Sequence, residues 1–197
     1  MFNITDFIIA FSTLFIIMDP FAATPIFISL TKKFSSKKKI RTANYAILIA
    51  GGLLLIFLFF GTLILKFFSI SLDSFRVAGG LILLVFGVKY VLNIQWEKEH
   101  MKDYDVASVP MGTPLITGPG VITTIIILVG KYGYVIPLLA SISCLFIFWI
   151  FLRFSDRIQK VIGDNGAEIL SRIMGLIIAA FAVEFIKTGI IGLIANV

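Results

Sequence analysis

The residues best suited to chemistry lie in two short runs. Asp19-Pro20-Phe21-Ala22-Ala23-Thr24-Pro25 is one; Thr113-Pro114-Leu115-Ile116-Thr117-Gly118-Pro119-Gly120 is the other. A proline inside a helix removes one backbone hydrogen bond and clashes with the preceding turn. Asp or Thr followed by proline is also a natural helix cap and first helical residue, so Asp19-Pro20, Thr24-Pro25 and Thr113-Pro114 all qualify as helix starts. Both runs therefore predict broken helices with free amides on one side of the break and free carbonyls on the other. Such amides, with the helix dipole, hold a carboxylate, while freed carbonyls hold an ammonium group or a cation. Gly118 and Gly120 allow close backbone approach to a ligand. Hydroxyls of Thr24, Ser29, Thr117 and Thr123 add polar partners. Asp19 is the sharpest candidate, either as a group that binds a proton or cation or simply as a cap.

What surrounds these runs sets their meaning. The chain has 197 residues, 59% of them hydrophobic, 14% charged and 20 of them Phe, with a mean hydropathy of +1.05. Soluble domains carry about 25% charge, so too little polar surface exists here for a cytosolic fold. The expectation is an all-α integral membrane protein. Six segments are apolar over roughly the 20 residues that cross a ~30 Å hydrocarbon core: Phe7–Leu30, Thr42–Leu65, Phe75–Leu92, Val109–Val129, Val135–Leu152 and Ile173–Ile194. The third spans if Arg76 and Lys89 snorkel to the interfaces. The first has no basic residue ahead of it and runs past Asp19, so it reads as a retained helix rather than a cleaved signal.

Asp19 then falls about 18 Å into its segment, close to mid-membrane, where a charged group costs about 2.5–3.5 kcal/mol. Glu184 in the sixth segment is a second intramembrane acid, with Lys187 placed to pair with it at i, i+3. Gly175, Ala179, Ala182 and Gly189 occupy the opposite face, suited to close helix packing.

Segments one and four are related. Aligned without gaps, Pro20 falls on Pro114 and Pro25 on Pro119, and Ser29 falls on Thr123. Segments three and six align at Phe75-Arg76-Val77-Ala78-Gly79 and Ser171-Arg172-Ile173-Met174-Gly175. Three helices per half is an odd number, so the halves have opposite orientations. The fold class expected is one transmembrane domain of two inverted three-helix repeats, the first helix of each broken at prolines. Repeat one covers about 1–92, a polar loop 93–108, and repeat two about 109–197. Inverted repeats of this kind recur in secondary transporters.

Charge sets orientation. Six of the 17 basic residues lie between Lys32 and Arg41. With the N-terminus outside, 13 basic residues fall on cytoplasmic loops and four on the other side, a positive-inside pattern that puts both termini outside. The net charge of +6 therefore reads as topology, and no solvated basic face points to nucleic acid. The stretch Phe154–Ser171 is expected to hold a short amphipathic helix before a turn at Asp164-Asn165-Gly166. Cys144 has no intrachain partner, and His100, the single histidine, sits in the polar loop, so no zinc site, Ser–His pair or phosphate loop is legible. No enzyme, metal or cofactor is expected.

The runs DPFAATPIFISL and PLITGPGVITT, with SRIMGLIIAAFAVEF in segment six, resemble the MarC family of bacterial inner-membrane proteins over essentially the whole chain. That resemblance implies six transmembrane helices, a multi-pass plasma-membrane location and, from some members, transport of neutral amino acids. Relatives often carry Gly-Asn where this chain has Ala22-Ala23, and Gln at the position of Glu184. The function expected is secondary transport of a small neutral amino acid or similar metabolite, with H+ or Na+ as coupling ion. The alternative is a non-transporting membrane protein whose breaks are structural and which supports envelope assembly. Oligomeric state is not legible.

Overall fold

Residues 3–31, 34–92 and 116–195 are described in a computed structural model, apart from the side chains of Ser29, Gln159, Asp164 and Ala167. Every regular element among them is helical. The first membrane segment is two helices, α1 (Ile4–Met18) and α2 (Pro20–Leu30), meeting at Asp19. Then come α3 (Ser36–Phe67), α4 (Leu72–Val91), α5 (Pro119–Tyr132), α6 (Val135–Arg153) and α7 (Ser155–Ala195). The expected 93–108 loop, with His100, and the candidates Thr113 and Pro114 lie outside the described residues.

Two boundaries differ from the sequence expectation. Lys37–Arg41 are not loop but the first turns of α3, because Ser35 caps them, its Oγ accepting from the Lys38 amide at 3.4 Å. Lys and Arg are good helix formers, so the helix runs outward until a cap stops it. The helix beginning at Ser155 is interrupted at Gly163 (φ 69°, ψ 170°), one residue before the expected Asp-Asn-Gly turn. That conformation is open essentially to glycine alone.

Five stretches are long and apolar enough to cross a membrane: Ile4–Ile28, Ser36–Phe67, Leu72–Val91, Val135–Arg153 and Glu168–Ala195. The remaining helix, α5, from the fourth apolar segment, has 14 residues and covers about 21 Å, short of the hydrocarbon thickness. It starts at Pro119, the second of its two candidate prolines.

The outer surface is apolar, with Leu48, Phe60, Leu176 and Ile194 more than half exposed, while Ala43, Ala46, Ala50 and Leu54 of α3 are buried in the interior. Lipid supplies no hydrophobic force between helices, so association rests on close packing of small residues. The α4–α7 seam does this most fully. A Cβ on Gly87 would lie 2.8 Å from the Ala179 nitrogen and the Gly175 oxygen, and one on Gly80 would lie 2.8 Å from the Ala182 oxygen. One on Gly189 would lie 2.7 Å from the Asp73 oxygen. As numbers rise on α4 they fall on α7, so the two helices are antiparallel. The small-residue face expected at Gly175, Ala179, Ala182 and Gly189 is thus the one pressed against α4. Around this seam α2 packs on α6 and α7, α5 packs on α3 and α4, and α3 packs on α6.

Candidate functional site at two helix breaks

Asp19 ends α1 and starts α2. Its backbone is left-handed (φ 42°, ψ 75°), its amide donates to Phe15 O at 3.1 Å, and its Oδ1 accepts from the Ala22 amide at 3.1 Å. Pro20 at the first helical position has no N–H to offer, so Ile16 O cannot receive its usual helical bond. The residue is 1% exposed, and Oδ2 is buried without a hydrogen-bond partner. A cap needs one carboxylate oxygen, and the Phe21 amide also lies beside this carboxylate. Positive φ in a non-glycine residue costs on the order of 1–3 kcal/mol and marks a position held by its surroundings.

The break does not recur at Pro25. That proline lies within α2, and Thr24, rather than starting a helix, donates its hydroxyl to Pro20 O at 2.7 Å. In the second run the described helix begins at Pro119, capped by the extended backbone of Gly118 with no side-chain cap. Thr123 Oγ1 then donates to Pro119 O at 2.9 Å. Each short helix therefore starts at a proline whose carbonyl receives a threonine hydroxyl four residues later. In this geometry Pro20 and Pro119 play the same part. The hydroxyl protons of Thr24 and Thr123 are committed within their own helices, so toward a ligand these groups accept rather than donate.

Thr117 is 1% exposed and donates to Ala50 O at 3.1 Å, tying the second break to α3. A Cβ on Gly120 would press on the end of the Leu83 side chain, which would have to shift, and would meet Ile17 at ordinary contact distance. Between the breaks lies a cavity of about 30 Å³, lined by Ile17 of α1, Leu83, Phe86 and Tyr90 of α4, Gly118, Gly120 and Val121 at the start of α5, and Ile178 of α7. One water needs about 10–15 Å³ by this measure, so the space suits about two waters and is far below the size of a metabolite site. Tyr90 lines this cavity, as does Ile17 two residues before Asp19. Sequence reasoning missed Tyr90, because a tyrosine at a helix end reads as an ordinary interfacial residue.

Glu184 stands apart. It and Lys187 are more than half exposed on the outer face of α7, paired with each other at 3.0 Å, whereas Ile178 and Ala182 of the same helix turn inward. The structure does not bring Glu184 to Asp19, so the two acids form no pair. Among the described residues no group of three or more His, Cys, Asp or Glu side chains is placed to hold a metal ion.

Apolar outer faces, glycine seams and a helix interrupted at a buried acid define a multi-pass integral membrane protein with discontinuous helices. The model of the MarC family of integral membrane proteins matches residues 4–194. The chain belongs to that family. It is 38% identical to a UPF0056 membrane protein of Methanocaldococcus jannaschii, over 94% of this chain and 96% of the relative. It is 32% identical to the UPF0056 membrane protein YvbG of Bacillus subtilis, over 93% of each. Against YhcE of Escherichia coli it is 31% identical over 93% of this chain and 91% of the relative. No solved structure matches the chain.

Proposed function

We propose that this protein is a secondary transporter in a bacterial plasma membrane, moving a small neutral amino acid or similar zwitterion past Asp19. The observation that carries the reading is the buried Asp19 Oδ2, without a hydrogen-bond partner, at a helix break two residues beyond Ile17, which lines one cavity with Gly118 and Gly120 of the second break. Burying a carboxylate oxygen without a partner is costly, and a fold that keeps one gains from what it binds. In the open form a substrate ammonium group faces Asp19 and freed carbonyls, and its carboxylate faces the uncapped start of α5.

The architecture we propose is two inverted three-helix repeats in a single domain: α1–α2, α3 and α4, then the segment ending in α5, α6 and α7. Packing supports it, since exchanging the halves turns the α2–α7 contact into α5–α4 and α2–α6 into α5–α3, and leaves α3–α6 and α4–α7 unchanged. The basic end faces the cytoplasm and both termini face out. Asp19 carries the coupling proton or holds Na+; Glu184 has no part in the site. No catalysis and no cofactor enter this reading.

Flux in liposomes containing only this protein tests it. Radiolabelled alanine, serine and glycine should accumulate under an imposed H+ or Na+ gradient, and Asp19→Asn, which still caps α2, should abolish the gradient dependence while the protein remains folded. If folded protein in sealed liposomes moves none of the three, transport of this class is ruled out and the breaks are structural. If flux and ion response survive Asp19→Asn unchanged, Asp19 is only a cap.

A further inference from the structure

The Glu184–Lys187 pair is satisfied within itself, at 3.0 Å, yet its side chains are 56% and 58% exposed. What needs a reason is its place. Asp73 at the start of α4 lies against Gly189 and Gly192 across the seam, so that end of the bundle is level with Gly192. Glu184 sits about 12 Å further in, inside the apolar layer rather than at its edge. Charges at such depth ordinarily face protein or a wet cavity, not lipid.

The pair stands in the middle of a stripe. On an α-helix, residues three apart differ by about 60° in direction and about 4.5 Å in height. Ile173, Leu176, Ala180 and Ile191 all point within about 50° of the line midway between Glu184 and Lys187. All four are exposed. This stripe lies on the side of α7 opposite the glycines that pack on α4, and its three- and four-residue steps are those of paired helices. Ala180, one turn from the acid, leaves room for close approach.

A two-fold axis along the membrane normal keeps two copies in the same orientation. Set against this stripe, it passes between the acid and the lysine of each helix. Glu184 of one copy then lies on the same side of the axis as Lys187 of the other, offset by about 4.5 Å in height, which a lysine side chain spans. The four charges alternate around a ring, with like charges only on the diagonals. Another protein would have to carry a matching pair at the same depth; a second copy carries it by symmetry.

We propose that the outer face of α7 is the contact of a homodimer, its two copies in one orientation, closed by an alternating ring of Glu184 and Lys187 from each copy. In a separated copy the pair faces lipid. The interface does not depend on the transport reading or on which compartment the termini face.

Energy transfer in phosphatidylcholine liposomes tests this, with donor and acceptor dyes on Ala195→Cys in a Cys144→Ala parent, over a wide range of protein dilution. The parent should associate saturably, and single-molecule photobleaching should give two copies per complex. Ala180→Trp, in the contact, should weaken association about tenfold or more, whereas Leu48→Trp, exposed on α3, should leave it unchanged. Glu184→Lys/Lys187→Glu keeps the ring alternating, so this protein should pair with itself as the parent does. Mixed with the parent it sets acid against acid and lysine against lysine, and mixed pairing should be weaker by about tenfold or more. Monomers at every dilution, or equal loss from the two tryptophans, overturn the interface. Free mixing of the swapped protein with the parent overturns the ring. If the swapped protein does not fold, the two tryptophan variants decide.

Discussion

The α4–α7 seam makes the sharpest prediction about what holds the bundle together. A Cβ built on Gly87 would meet backbone, the Ala179 nitrogen and the Gly175 oxygen at 2.8 Å, and the Ala179 Cβ at 3.0 Å. Ordinary carbon contacts need about 3.5–4.0 Å, so the helices must separate by several tenths of an ångström to about 1 Å in Gly87→Ala. Backbone cannot swing aside as a side chain would. The facing glycine at 175 loses its close approach at the same time, its own Cβ position being only 2.9 Å from Gly87 O. Overpacking of this kind costs about 1–3 kcal/mol. Gly52→Ala is the matched control, because a Cβ there meets nothing within 4 Å. It should be neutral or stabilise by up to about 1 kcal/mol through helix propensity. Reversible unfolding in mixed detergent micelles, with helicity and tryptophan fluorescence as probes, measures both. Gly87→Ala should fall about 1–4 kcal/mol below Gly52→Ala. A Gly87→Ala protein as stable as the control would refute close backbone packing as the basis of the seam.

Two further outcomes follow from charge. Glu184 and Lys187 pair on the outer face of α7, so Glu184→Leu or Lys187→Leu alone should leave a lone charge facing lipid, costing about 2.5–3.5 kcal/mol on insertion scales. The double substitution should insert and unfold much like wild type; additive losses in a double-mutant cycle would show that the ions never interact. For orientation, single cysteines at Asn3 and Val197 in a Cys144→Ala background should both react with an impermeant thiol reagent added outside intact cells. Protection of both until lysis would reverse the topology.

A membrane class was legible from composition alone, because about 20 consecutive apolar residues have no soluble use. Five of the six spans followed, since hydrocarbon thickness dictates length whatever the partners. The break at Asp19-Pro20 was also legible: proline lacks an N–H and aspartate caps, and both facts are local. The part played by Pro25 was not. By sequence it had the same standing as Pro20 as a helix start, yet it sits inside α2, while Pro119 does start a helix. A proline only permits a break, and the surrounding packing decides which one is used. In the same way Ser35, a single cap, turned a basic loop into the start of α3. Tyr90 joined the site only because the antiparallel seam carries it beside the cavity, and Glu184 left it because α7 turns that face outward. Which residues meet depends on how helices rotate about their axes. That rotation is set here by glycines meeting backbone across the seam, an interaction between elements distant in sequence.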